Sequence, residues 1–261
     1  MSLAKGRARD ALMAFAEDPG FGARPLNENT VVPTDVDALI VPQTGYLQII
    51  DVEVLNDLLP STSALYVNIH PGDNLLKGQV LARVSGGVTD DTKRALADAF
   101  TFGEHRTHEQ DTEFGLRVLA ETALRALSPG INDPGTAIHA ISDLKDVLWQ
   151  YASEVRHPAD DASSRVFVAF PTESELVEAA FAAIARDSAG TIEVATSLRA
   201  ALLDLAACDN GRLATAALGM ADLGIEYAEQ ANLLPREREI LHKTKSTAAP
   251  SSTAESREPT S

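Results

Sequence analysis

The sequence predicts an α+β protein in which a small β-barrel-like or sandwich-like module is followed by a mainly helical domain. Three observations support this class. Strand-like patterns are concentrated between residues 35 and 84, and helical periodicity dominates after residue 89. Aromatic residues make up only 5% of the chain, which favours packed helices over a large β-sandwich. We predict an N-terminal helix and linker (1–34), the β module (35–88), the helical domain (89–243, with one extra strand at 165–170) and a disordered tail (244–261).

The β module is predicted from three strands and one turn. A tight turn follows His70, where Pro71-Gly72 reverses the chain and Asp73 can bind its own backbone. This turn and the strand after it resemble the hairpins of biotinyl/lipoyl-like barrels, but no carrier lysine is displayed, so a carrier role is not expected. The predicted strands are Tyr46–Asp51, Ala64–His70 and Gln79–Val84.

The helical elements are predicted from their ends as much as from their apolar stripes. A helix begins where an N-cap residue or a first-turn proline satisfies or removes the free N–H groups. Thr89 and Asp133-Pro134 are such starts, and Thr172-Glu-Ser-Glu175 is a capping box. The predicted helices are Lys5–Ala16, Asp90–Ala99, Glu113–Leu127, one from Pro134, one from Thr172, Thr191–Cys208, Arg212–Ala231 and a short one from Pro235.

Composition excludes several classes of function. The net charge of −16 argues against protein-wide attraction to nucleic acid or anionic lipid. The single cysteine, Cys208, excludes an internal disulfide. No apolar run approaches the roughly 20 residues that a membrane span needs, and no signal peptide is present, so we expect a soluble chain. Common nucleotide-binding, hydrolase-elbow and zinc-peptidase motifs are also missing, and no cofactor is identified.

The densest polar stretch is Glu104–Asp111. On a helix, His105, His108 and Asp111 would spread over about 120° of one face, and their side chains are ligand types that zinc or iron accepts. A solvated helix start, or a surface that binds a ligand or partner, explains the same residues. All three interpretations remain open from the sequence.

A second candidate site is the turn from Arg125 to Thr136, which contains two Pro-Gly steps. Free N–H groups at the start of the following helix, with Arg125 and Thr136 nearby, would hold an anion. Asp133 competes for these donors as an N-cap, so a purely structural corner is the alternative. The candidate ligand-binding residues are therefore Arg106, Asp111, Arg125, Ser128, Asn132, Asp133 and Thr136.

Two motifs carry a resemblance to a known family. Arg106-Thr-x-x-Gln-Asp111 and the run Ala123-Leu-Arg-Ala-Leu-Ser-Pro-Gly-Ile-Asn-Asp-Pro-Gly-Thr-Ala137 resemble a bacterial family of predicted membrane proteins, the domain of unknown function 2254. The resemblance extends over Val36–Leu241. Family members typically begin with membrane helices, which are missing here, so the chain is expected to be a fragment or a soluble relative. Three basic residues before the first acid, at positions 5, 7 and 9, fit a boundary just inside the cytoplasmic membrane face.

The resemblance, the missing enzyme motifs and the rigid turn beside the Arg106–Asp111 cluster together lead us to expect a soluble, cytoplasmic regulatory or ligand-binding domain of a bacterial membrane protein. Its expected partners are a membrane-embedded segment of the same or another protein and a small anionic ligand, without nucleic acid. The first alternative is a metal-dependent hydrolase in which His105, His108 and Asp111 hold the metal and Asp133 or Glu109 acts as the base. The second is an assembly module that forms a homo-oligomer through its alanine-rich C-terminal helices.

Overall fold

Alternating helices and short strands make up the fold. The computed structural model describes residues 2–18, 20–27, 29–155 and 164–247, and these residues form nine helices and eight strands. The helices are α1 (Ser2–Glu17), α2 (Val52–Leu58), α3 (Asp90–Asp98), α4 (Thr112–Leu127), α5 (Pro134–Glu154), α6 (Glu173–Asp187), α7 (Ile192–Leu205), α8 (Gly211–Gln230) and α9 (Pro235–Lys243). The strands are β1 (Arg24–Pro25), β2 (Val36–Ile40), β3 (Gly45–Ile50), β4 (Leu65–Val67), β5 (Asn74–Leu75), β6 (Val80–Ser85), β7 (Phe100–Gly103) and β8 (Val166–Val168).

The strands form two open sheets. The larger has the order β1-β8-β4-β6-β2, in which β8 runs parallel to both β1 and β4 while the other pairs are antiparallel. The smaller is antiparallel, in the order β5-β3-β7. The α+β class is therefore confirmed. The barrel-like or sandwich-like arrangement is not confirmed, because the described strands form two separate open sheets and close no barrel.

Two main hydrophobic cores hold these elements. The first lies among α1 and α4–α8 and includes Leu12, Leu116 and Phe181. The second is formed by residues of both sheets, α2 and α3, and includes Leu47 and Leu65. Apolar burial of this kind is the main favourable contribution to folding.

The prediction placed one β module before one helical domain, but the chain alternates between the two cores more often than that order implies. Helix α1 precedes every strand, yet it packs in the helical core against α4 and α5. Gly115 permits this contact, because a Cβ there would lie 2.5 Å from the Cα of Ala8. Strand β8 confirms the predicted extra strand, and it enters the larger sheet from between α5 and α6. Strand β7 is a second strand within 89–243, which the sequence did not predict.

Local signals at the helix ends agree with the structure. Thr89 caps α3, Asp133 caps α5 with Pro134 in its first turn, and Thr172 with Glu175 forms the capping box of α6. These starts were predictable because each depends on side chains within three residues of the helix end.

Residues near both ends of the described chain make specific contacts. Lys5, one of the three basic residues before the first acid, pairs with Asp143 and Asp146 on α5 at 2.9 Å, so it joins two helices of the core. The predicted disordered tail begins at residue 244, but Ser246 and the Thr247 side chain bind the buried carboxylate of Asp204 at 2.8 and 2.6 Å. The rest of that tail, from residue 248, lies outside the described residues. In the described part of the chain, no helix has the length and apolarity needed to cross a bilayer.

Candidate functional site

The polar stretch Glu104–Asp111 is an irregular connection between β7 and α4, so the helical geometry assumed for its histidines is wrong. Tertiary contacts hold it in this form. The Gln48 side chain donates to the His105 carbonyl at 2.7 Å, and the Gln110 side chain bonds both the N–H and the carbonyl of Ile50, at 2.8 and 3.2 Å. The segment therefore lies against β3 rather than extending α4.

The structure does not gather His105, His108 and Asp111 into a metal-binding group. The His108 ring packs on Phe114 with 4.5 Å between centroids, and burial, with a contribution from Arg7, lowers the pKa of His108. Across the described ranges, no set of three or more His, Cys, Asp or Glu residues is arranged to hold a metal ion. The hydrolase alternative, which depends on these ligands, gains no support from this geometry.

Asp111 instead pairs with Arg106 and caps α4. Its side chain is only 2% exposed, and it receives Arg106 Nε at 2.6 Å and Nη2 at 2.7 Å. One carboxylate oxygen also accepts the Phe114 N–H at 3.0 Å. Burial alone would lower the pKa of Arg106, but its bonds to Asp111 raise the pKa above the ordinary value. A two-point, charge-assisted contact of this kind has strong geometric specificity.

The Pro71-Gly72-Asp73 turn covers this ion pair. Gly72 has a φ of +101°, and a Cβ there would lie 2.7 Å from Asp111 Cγ and 2.8 Å from Arg106 Nη2, so only glycine fits. Its N–H donates to the Leu47 carbonyl at 2.7 Å. The predicted bond from Asp73 to the turn backbone is present, because its carboxylate accepts the N–H of residue 70 at 2.8 Å.

A polar cleft lies where this turn meets the start of α4, and we call it the junction cleft. Its cavity volume is about 160 Å³. Pro71 and Pro171 form part of its wall. Its polar lining consists of His70, Asp73, Arg106, Asp111, Thr112, Glu113 and Arg117.

Two residues that line the junction cleft each have a buried polar atom with no hydrogen-bond partner among the described residues. The two atoms are Oγ1 of Thr112, a residue only 3% exposed, and Nε2 of His70. An unpaired buried polar group costs about 1–3 kcal/mol, so such atoms are normally satisfied by water or a ligand. Both atoms therefore keep hydrogen-bonding capacity that contacts among the described residues do not use.

The second group of predicted site residues lies at the other end of α4, in the connection to α5. Arg106 and Asp111 stand at the start of the 16-residue helix, and Ser128 follows its end, so the two groups are about 24 Å apart at 1.5 Å per residue. The structure does not bring them into one site.

Local hydrogen bonds account for the side chains of that connection. Asp133 accepts the Thr136 N–H at 3.1 Å and its hydroxyl at 2.6 Å, and both bonds lower the pKa of Asp133. The Ser128 hydroxyl donates to the Arg125 carbonyl at 2.7 Å. Asn132 adopts a φ of +47°, which asparagine tolerates better than most residues. These contacts are those of a helix–helix corner.

The comparison with protein families gives one match over most of the chain. A model described as "Predicted membrane protein (DUF2254)" matches residues 11–204. The chain belongs to the DUF2254 family. The family resemblance drawn from the two motifs is thus confirmed.

Curated relatives extend well beyond the matched region. An uncharacterized protein of Mycobacterium bovis is 36% identical over 129 residues, which are 46% of this chain and 25% of that protein. An uncharacterized protein of Mycobacterium tuberculosis H37Rv gives the same values, and one from strain CDC 1551 is 35% identical. The chain thus spans about a quarter of the length of these relatives. No solved structure matches it significantly.

Several residues of the junction cleft were not identified from the sequence. His70 is explained there by the turn alone, and Thr112, Glu113 and Arg117 were not assigned to any site. One local signal was available: Asp111 stands three residues before Phe114, the spacing of an N-cap, and this places α4's first turn at Thr112. No local sequence pattern predicts that His70 lies close to the first turn of α4.

Proposed function

We propose that this DUF2254 chain is the regulatory, ligand-binding domain of a membrane protein and that the junction cleft binds an anionic group of a small ligand. The membrane-embedded partner would be another segment of the same protein or a separate subunit. Family membership supports the association with a membrane. The observation that carries ligand binding is the polar cleft itself, to whose lining Arg117 contributes an exposed guanidinium.

We infer that the ligand carries an anionic group because residues that line the cleft supply hydrogen-bond donors. Thr112 offers a hydroxyl and His70 a ring nitrogen. Arg117 offers a guanidinium that is 49% exposed and that pairs, within the described residues, with its helical neighbour Glu113. Exposed pairs of this type contribute at most about 1 kcal/mol, so Arg117 can exchange its partner at little cost. A carboxylate or phosphate group would accept from the Arg117 guanidinium, whose side chain is the most exposed of the three.

The cytoplasmic side remains our proposal for the location of this domain. The sequence contains one cysteine, which fits a compartment where disulfides do not form. An epitope tag fused directly to this domain in the membrane-bound protein should resist external protease in intact spheroplasts and be lost after lysis. Digestion in intact spheroplasts would place the domain outside.

A thermal-shift screen with acetate, phosphate and larger carboxylates tests the proposed ligand site. A ligand at a hundredfold excess over its Kd stabilises the native state by about 2.7 kcal/mol, which raises Tm measurably. Arg117→Ala should abolish the shift. Arg94→Ala is the matched control, because Arg94 also forms an exposed intrahelical pair, with Asp91 at 2.7 Å, and does not line the cleft. Absence of any shift, or an equal shift in Arg117→Ala, would contradict the proposal.

A further inference from the structure

A buried carboxylate near the end of α7 holds the segment that follows α9. Asp204 is only 4% exposed, and it precedes the last residue of α7, where the helix dipole disfavours a negative charge. Lys145 on α5 donates to its carboxylate at 3.0 Å. The Ser246 hydroxyl donates at 2.8 Å, and Thr247 donates both its backbone N–H and its hydroxyl, the latter at 2.6 Å. We call the contacts of Ser246 and Thr247 with Asp204 the tail latch.

The tail latch follows a helix that has few other means of staying in place. Helix α9 has nine residues, and isolated helices shorter than about 12–15 residues are marginal in water. Its apolar contacts belong to a minor core that is separate from the main helical core and whose buried members are Ala195, Ala228, Leu233 and Leu241. Opening of the tail latch would therefore loosen α9.

Both hydroxyl-bearing residues of the tail latch lie at the surface. Ser246 and Thr247 are exposed and belong to a stretch without regular secondary structure, whereas the carboxylate that they bind is buried. The basic residues Lys243 and Lys245 precede them and are exposed as well. Exposed, irregular segments near a terminus are the parts of a protein that another enzyme reaches most readily.

We propose that the Ser246-Thr247 pair is a phosphorylation site and that phosphorylation opens the tail latch. A protein kinase would transfer the γ-phosphoryl group of a nucleoside triphosphate to a hydroxyl oxygen of the pair. The new P–O bond forms as the bond to the diphosphate breaks, and the hydroxyl proton passes to the base of the kinase.

The phosphorylated residue is incompatible with the tail latch for two reasons. Its side-chain oxygen has lost the proton that it donated to Asp204, and the phosphoryl group brings a charge of about −2 next to a buried carboxylate. Lys145 balances the charge of Asp204 but not the added charge. The segment therefore separates from α7, and α9 loses its anchor.

The first test compares the 261-residue chain with and without phosphoserine incorporated in place of Ser246. Hydrogen exchange followed by mass spectrometry reports the local opening of α9. Exchange of the α9 amides should become about tenfold faster in the phosphorylated chain, while exchange in α4 should stay unchanged. Phosphoserine in place of Ser251 is the matched control, because Ser251 belongs to the same serine-rich tail but not to the tail latch.

Asp204→Asn tests whether the phosphoryl group acts through the buried carboxylate. In that variant the phosphoryl group meets a neutral amide, so phosphoserine in place of Ser246 should accelerate α9 exchange less than it does in the wild type. Equal acceleration in both chains, or equal acceleration by the control at Ser251, would overturn the proposed opening of the tail latch.

The second test asks whether the modification occurs. The protein is isolated, with phosphatases inhibited, from growing and stationary cultures of the cells that naturally make it, and it is digested with trypsin. Cleavage after Lys245 and Arg257 releases the peptide 246–257, whose fragment masses locate any phosphoryl group. Phosphorylation of Ser246 or Thr247 supports the proposal. Absence of both phosphorylated forms from all cultures, or unchanged α9 exchange in the first test, would overturn it.

Discussion

Replacement of Asp111 tests whether the buried ion pair holds the β turn to the helical core. Asp111→Asn keeps the size of the side chain and an oxygen that can cap α4, but it removes the charge that pairs with Arg106. Asp111→Ala removes both the pair and the cap. The two substitutions together separate the electrostatic contribution from the capping contribution.

The magnitudes follow from burial. Loss of an N-cap costs about 1 kcal/mol. Removal of one partner from a buried pair costs about 3–5 kcal/mol, and the low end applies because the Arg106 side chain is 23% exposed and water can reach it. Asp111→Asn should therefore lower the free energy of unfolding by about 3 kcal/mol and Asp111→Ala by about 4 kcal/mol.

The assay is urea unfolding at pH 7 followed by far-UV circular dichroism, and the coupling comes from a double-mutant cycle with Arg106→Ala. We expect the double variant to lose less than the sum of the single losses, because each single variant leaves one charge unpaired. Asp91→Asn is the control. Its pair with Arg94 is exposed, at 88% and 76%, and should contribute less than about 1 kcal/mol.

Two results would refute this reasoning. An Asp111→Asn variant within about 1 kcal/mol of the wild type would mean that the pair does not stabilise the fold. Additive losses in the cycle would mean that Arg106 and Asp111 act independently despite their 2.6 Å contact.

Three further predictions concern the same junction. Thr112→Val should keep or slightly raise Tm, because it removes a buried hydroxyl without a partner among the described residues. Gly72→Ala should lower Tm, because the new Cβ meets the ion pair at a φ of +101°, whereas Gly130→Ala, with no atom within 4 Å of its Cβ, should change Tm little. The lowered pKa of His108 means that protonation favours the unfolded state. The stability that the neutral His108 ring contributes is fully present above about pH 6.5 and is lost as the pH falls through the pKa of His108 in the folded state. His108→Gln should therefore flatten the decline of urea midpoints between about pH 7 and 5.

Some features of this fold were accessible to sequence reasoning because they depend on neighbouring residues. The caps at Thr89, Asp133 and Thr172 were predicted at the residues where they occur. The turn at Pro71-Gly72 was predicted from its glycine, and its left-handed φ is observed. In each case the hydrogen bonds or backbone preferences lie within a few positions along the chain.

The errors occurred where distant contacts decide local structure. The metal hypothesis assumed a helix over residues 104–111, but the Gln48 and Gln110 side chains tie that segment to β3. Strand β7 was missed because its four residues gain their pairing from β3, more than fifty positions earlier. No periodicity within such short segments records these partners.

The sequence by itself determined the α+β class, the helix starts and the family, because these follow from local hydrogen bonding, apolar periodicity and a long motif. Only the tertiary structure decided which residues form a site. It separated Asp133 from Asp111 by the length of α4, and it brought Gly72 onto the Arg106–Asp111 pair. The physical reason is that a cleft is made by packing elements that are remote in the chain, and the free energy of that packing depends on which faces meet rather than on their order.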